Sequence, residues 1–159
     1  MPEMITFDIG NTRFNFRTVG IALDGDRILI HKALKDDFWA LPGGRVEMLE
    51  SAEDALKREM YEELEVEVQV ERLVWIVENF FELDGKSYHE LAFYFLMTFP
   101  PGCHLYKNDE PFLIDDGGVK FAFEWHLLGN LEHIRLYPTF LKSGLNSIPK
   151  TVEHIVHTD

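Results

Sequence analysis

Cysteine is all but missing from this chain: one, Cys103, stands in 159 residues. No intramolecular disulfide can form, so the fold has to rest on a packed core, and a reducing compartment suits it. Basic residues are scarce too. Fifteen Lys and Arg face 28 Asp and Glu, for a formal net charge of −13. Binding polymeric nucleic acid or an anionic membrane surface requires a basic face that displaces counterions, so neither is expected. No apolar run approaches the roughly 20 residues that span a bilayer. The N-terminus, MPEMITFDIG, lacks the charged and apolar regions of a secretory signal, and a cytoplasmic location is expected. Repeats, low-complexity tracts and linkers are also absent, so residues 1–159 are read as a single domain.

What is present is an ordinary share of apolar residues, 46%, with 13 Phe. That is enough to build a core and argues against disorder. Residues 12–33 read as strands. Phe14 and Phe16 alternate with polar neighbours, whereas Val19, Ile21 and Leu23 alternate on the opposite parity, which predicts a bulge or bend near Arg17. Asp24-Gly25-Asp26 is a turn, and Arg27 to Ala33 a second strand. Residues 51–65 read as a helix with Ser51 as N-cap and Glu53 and Asp54 at the positive end of its dipole. Val66 to Val70 alternates as a strand does. Leu73 to Glu82 and Tyr88 to Phe99 form a hairpin turning at Asp84-Gly85. Residues 103–118 read as an acidic loop, Val119 to Leu128 as the last strand, and Tyr137 to Leu145 as a closing helix entered at Pro138. The tail after Pro149 gives no signal.

The informative segment is GGRVEMLESAEDALKREMYEELEV, Gly43 to Val66. Glu59, Glu62 and Glu63 stand at i, i+3 and i+4, within roughly 100° on a helix. Leu56, Met60 and Leu64 make a neighbouring apolar row suited to burial. Like charges at this spacing destabilise a helix, and Lys57 and Arg58 offset only part of that. Divalent cations among the carboxylates would remove the conflict. Mg²⁺ is a hard ion that prefers oxygen ligands and bridges carboxylates to phosphates. Composition alone favours a plainer alternative, a solvated Glu-rich helix.

The spacing resembles the Nudix box. That pattern is Gly, five residues, Glu, seven residues, Arg-Glu, an apolar residue, one more, Glu-Glu, one residue, Gly and an apolar residue. Here Gly44, Glu50, Arg58-Glu59, Met60, Glu62-Glu63 and Val66 fill it. Glu65 replaces the box Gly, and Leu49 stands where the family often has Gly before its first Glu. All charged box positions are kept. Trp39-Ala-Leu-Pro-Gly-Gly and Glu124-Trp125 resemble the family's flanks. The resemblance implies an α/β fold, an α/β/α sandwich around a central mixed sheet. It implies hydrolysis of a small-molecule nucleoside diphosphate derivative with Mg²⁺ or Mn²⁺, by attack of metal-activated water.

By residue, the resemblance makes Glu59 either the general base or a metal ligand. Glu62 and Glu63 are metal ligands, and the Gly43 carbonyl adds another. Arg58 orients a box glutamate, while Gly44 and Glu50 are structural. Glu47 lies near the site. The general base can also come from a later acid. Glu110, Asp115, Asp116 and Glu124 are the candidates, and Glu124 leads because its surroundings resemble the family's.

Among other residues, Trp39, Trp75, Phe80, Phe81, Tyr88 and Tyr94 are expected in the core, with one or two lining the pocket. His31 and His89 are expected to be hydrogen-bonded strand residues, and Arg13, Arg17 and Arg27 to lie at the surface. Cys103 is incidental, which sets aside an isopentenyl diphosphate isomerase-like chemistry needing a placed Cys. The long aromatic hairpin could supply a homodimer interface. The functional alternative is a Nudix-fold ligand-binding or sensor domain that has lost catalysis.

Overall fold

A computed structural model describes residues 3–159. Nine strands and one long helix are built in chain order. They are β1 (Thr6–Ile9), β2 (Thr12–Asp24), β3 (Arg27–Ala33), β4 (Gly43–Arg45), α1 (Ala52–Leu64), β5 (Gln69–Leu83), β6 (Lys86–Thr98), β7 (Phe112–Asp116), β8 (Val119–Leu127), a one-turn α2 (Leu141–Gly144) and β9 (Glu153–Thr158). The sheet runs β7-β8-β3-β2-β6-β5-β9, with β1 and β4 also on β2. The β2–β6 and β5–β9 pairs are parallel and the rest antiparallel, so the sheet is mixed as expected.

The positioning event is a splay. β2 and β3 pair only at Leu23–Ile28 and Asp24–Arg27, next to their tight turn. Beyond it they separate, and the Ala40–Arg45 segment fills the gap. Ala40 exchanges hydrogen bonds with His31 on β3, and β4 pairs Arg17, Thr18 and Val19 on β2.

Two apolar layers flank the sheet. On one side Leu56, Met60 and Leu64 of α1 meet Ala22, Leu29, Phe95, Met97 and Phe123. On the other, Val19, Ile21, Ile30, Trp75 and Val77 meet Leu131, Leu136, Leu141 and Leu145. The second layer is thin, carried by a 3-10 turn at Leu128–His133 and by α2. Among the described residues no helix is long and apolar enough to cross a membrane.

Several sequence expectations need correction. There is no bulge at Arg17: β2 pairs β6 without a shift from Thr12 to Ala22. The parity of its apolar residues switches because both faces are covered, Phe16 and Ala22 by the α1 layer and Val19 and Ile21 by the other. The 103–118 loop contains a 3-10 turn at His104–Lys107 and the strand β7. Phe112 and Ile114 reach the α1 layer between exposed neighbours, an alternation that the surrounding acids obscure.

Val66 to Val68 is not strand, and β5 begins at Gln69. β8 is not the last strand, since the tail forms β9 on β5. The helix over Tyr137–Leu145 shrinks to the one turn Leu141–Gly144, and the segment ahead of it is tied to the Trp39 backbone instead. Trp39 donates to Arg135 O and Tyr137 donates to Trp39 O. β1 carried no signal in the sequence.

Candidate active site

α1 is fixed at both ends. Ser51 Oγ accepts from Asp54 N at 3.1 Å, with Glu53 and Asp54 in the first turn, as the sequence suggests. Thr18 Oγ1 donates to Ala52 O at 2.7 Å and ties the helix start to β2. Leu56 and Met60 are fully buried. Registering that stripe on the sheet rotates Glu59 and Glu63, one turn apart, inward, so that both are buried. Glu62 faces outward with 53% of its side chain exposed. The three carboxylates expected to act together therefore sit in two environments.

Close approach explains the paired glycines. A Cβ on Gly44 would collide with the Glu59 carboxyl group, and one on Gly43 with Thr18 O. A side chain at position 43 would push β4 off the β2 backbone, and one at position 44 would displace the Glu59 carboxyl group.

Arg58 is the hub of the paired charges. Its Nε and Nη2 donate to the two oxygens of Glu50 at 2.8 and 3.0 Å. Nη1 donates to Glu59 at 2.9 Å and Glu62 at 3.3 Å, and Nη2 also reaches Arg45 O at 3.1 Å. Glu47 is 3.5 Å from Nε, and its backbone N–H donates to Glu50. The fork geometry suits bidentate binding. The guanidinium holds the Glu50 carboxyl below its ordinary range, and Glu50 in turn raises the Arg58 pKa.

Glu63 is the opposite case. Its Oε2 is buried without a hydrogen-bond partner. Burial first, then the charges of Glu59 and Asp116, push its pKa from 4.5 to about 8. Glu59 is also raised by burial, against the pull of Arg58. Such a group either takes up a proton or requires cationic charge nearby. The donors are hard carboxylate oxygens, which fits Mg²⁺ or Mn²⁺. Among the described residues no three His, Cys, Asp or Glu side chains converge as a ready-made metal cage; Glu59 and Glu62 are turned to Arg58.

The remaining candidates separate. Asp116 closes β7 on the same face as Phe112 and Ile114, and its charge acts on Glu63. Glu124 lies on the opposite face of β8 from Phe123 and Trp125, which belong to the α1 layer; its neighbour is His126 at 3.7 Å. The structure thus brings Asp116, not Glu124, to the helix carboxylates. Asp115 Oδ1 accepts from Gly118 N in the turn, and Glu110 is exposed. The signal for Asp116 was the Phe112/Ile114 alternation, which puts position 116 on the same face.

Arg13 is paired with Asp8, and Arg27 with Asp24 at 2.6 Å and with Tyr106 O. Arg17 makes only a loose 3.9 Å contact with Glu90, and its charge is felt at Glu59, Glu63 and His31. His31 differs from expectation: its Nδ1 is buried without a partner, between Phe121 and Phe123. Burial and Arg17 lower its pKa to about 3, so it is neutral. Trp75 is core, and Lys32 Nζ sits 5.1 Å from the Trp39 ring. Cys103 packs against the α1 layer.

The fold has solved counterparts. An ADP-ribose pyrophosphatase from Streptococcus suis 89-1591 superposes with a TM-score of 0.60 at 18% identity, covering 90% of this chain and 98% of that one. A UDP-X diphosphatase gives 0.61 at 18% identity, over 89% of this chain and 66% of the other. A mutator MutT protein from Bacillus halodurans gives 0.57 at 17% identity, over 91% and 90%. At these identities the likeness is one of fold. No curated protein sequence matches significantly. The NUDIX domain model matches residues 15–142, a span that holds the glycine turn, all the box glutamates and Arg58. With the box and its turn-helix geometry inside that match, the chain belongs to the NUDIX domain family.

Proposed function

We propose that this chain hydrolyses the diphosphate bond of a nucleoside diphosphate carrying a further group. The observation that carries this reading is the buried Glu63 oxygen without a partner, one helical turn from buried Glu59. Fold stability alone gives no reason to bury a carboxylate without a partner beside a second buried one. Binding of a divalent cation and a phosphate does.

Glu59, Glu62, Glu63 and the Gly43 carbonyl are the groups that would hold Mg²⁺ or Mn²⁺. When bound, such an ion neutralises charge on the phosphate oxygens and lowers the pKa of the attacking water. Glu62 is exposed and held by a weak surface contact, so turning it away from Arg58 costs little. Arg58, fixed by Glu50, keeps Glu59 in place. Arg17 lies on the sheet face opposite α1, only loosely paired with Glu90, and contributes at long range, its charge being felt at both buried glutamates. The general base is Glu59 or Asp116, with Glu124 less favoured because it faces away.

The ligand-binding alternative rests on the two missing glycines. Leu49 (φ 67°) and Glu65 (φ 56°) nevertheless hold the left-handed backbone that glycine would supply, so the box geometry is kept.

The test is phosphate release from a panel of nucleoside diphosphate derivatives, with Mg²⁺ or Mn²⁺ against EDTA. Metal-dependent turnover of one compound is expected, falling by about 100-fold or more in Glu63→Gln. Turnover of that variant within a few-fold of wild type would reject the assignment.

A further inference from the structure

The sheet face that carries α1 has, at its other end, an apolar surface that nothing among the described residues covers. Register places Phe7, Phe14, His89 and Phe80 side by side across β1, β2, β6 and β5. Their rings touch in series, with centroids 5.3, 5.3 and 4.6 Å apart. The next row on the same face holds Phe16, Leu91, Glu78 and Val156, and the one beyond it Phe93 and Ile76.

α1 crosses the other end of this face, reaching Phe16 and Phe93 but not the aromatic row. Phe7, Phe14, Phe80, Leu91, Ile76 and Val156 belong to neither apolar layer of the fold. Ile9 at the rim is 73% exposed, Val156 64% and Phe7 54%. A solvated sheet face is normally polar at alternate positions. Here the polar residues, Asn15, Glu90 and Asn79, occupy the opposite face and are buried.

We propose that this face is the dimer interface, stacked sheet on sheet against the same face of a second copy. Two observations select that occupant. The first is area. Five strands at ~4.8 Å spacing and about six residues at ~3.3 Å rise give about 500 Å² per copy, or about 1,000 Å² in all. That total reaches the roughly 1,000 Å² that a biological interface should clear, and about 500 Å² per copy is among the largest apolar patches that a monomer commonly exposes, which are often functional. The second is charge. The chain carries −13, yet the central rows hold one carboxylate, Glu78, paired with His154 at 2.7 Å. A charged partner would find little to pair with in these rows, whereas the same face of an identical copy would set apolar rows against apolar rows. With −13 on each copy, added salt should tighten the dimer by screening repulsion.

Sedimentation equilibrium at micromolar concentration is the test. The wild-type chain is expected at twice 18.6 kDa, more fully so at higher salt. Phe7→Glu/Val156→Glu is expected at 18.6 kDa with an unchanged circular dichroism spectrum. Leu113→Glu, exposed on β7 away from this face, should remain dimeric. If the double variant does not fold, Ile9→Glu at the rim carries the same test. A monomeric wild type, or a dimer that survives the folded face variants, overturns the proposal.

Discussion

Glu50 and Glu63 belong to the same motif and have opposite surroundings. Glu50 meets Arg58 through both oxygens and accepts a backbone N–H from Glu47, and its pKa is lowered. Glu63 is buried beside Glu59, has an oxygen with no partner, and its pKa is raised to about 8. The chain neutralises one carboxylate itself and leaves an oxygen of the other without a partner, and the proposed function turns on that difference.

Stability against pH sharpens that contrast most. Between about pH 4.5 and 8 the folded chain keeps a proton on Glu63 that the unfolded chain has released. Stability from this group is therefore complete below pH 4.5 and is lost as pH rises toward 8. The shift corresponds to at most about 5 kcal/mol, with Glu59 sharing part of it. Glu50 acts in reverse, contributing above its ordinary pKa and losing that contribution as pH falls. Denaturant unfolding in EDTA should show wild type losing stability from pH 5 to 8, while Glu63→Gln does not. Mg²⁺ should restore wild type at pH 8 more than the variant. Parallel pH profiles for the two proteins would mean that Glu63 is already compensated.

Removing the hub tests the other half. Arg58→Ala leaves Glu50 and Glu59 without their cation and Arg45 O without a donor. A fully buried pair broken on one side loses about 3–5 kcal/mol. One-fifth of the Arg58 side chain is exposed, so about 2–3 kcal/mol is expected in urea unfolding at pH 7. A loss under about 0.5 kcal/mol would place the pair among ordinary surface contacts.

How far the sequence could be read follows the same division. The glycine turn, helix and box residues were legible because they are local, with spacing fixing the helix face and Ser51 its start. The difference between Glu62 and Glu63 was not, because it depends on how the Leu56–Met60 stripe registers on the sheet. β1, β7 and β9 were invisible for a related reason. β9 is held by pairing to β5 from more than seventy residues away, and its exposed histidines and acids give no periodic signal. Asp116 was legible only as one acid among several until β7 put it on the helix side of the sheet.

The smallest effect expected concerns Glu65, where the box pattern has glycine, and Leu49, where the family often has it. Glu65 caps α1 with φ 56° and ψ 34°, and its N–H donates to Tyr61 O. Leu49 sits at φ 67° and is 100% exposed. Residues with a Cβ pay roughly 1 kcal/mol in the left-handed region, and neither side chain gains packing in return. Glycine removes that strain but adds freedom to the unfolded chain. Glu65→Gly and Leu49→Gly should therefore each stabilise by up to about 0.5 kcal/mol, seen as a small rise in Tm. Both lie outside the Arg58 hub and the Glu59–Glu63 pair, so metal-dependent turnover should remain within about two-fold of wild type. A fall in turnover without loss of stability would show instead that Glu65 or Leu49 has a part in the chemistry, and that the replacements are adaptations of the box.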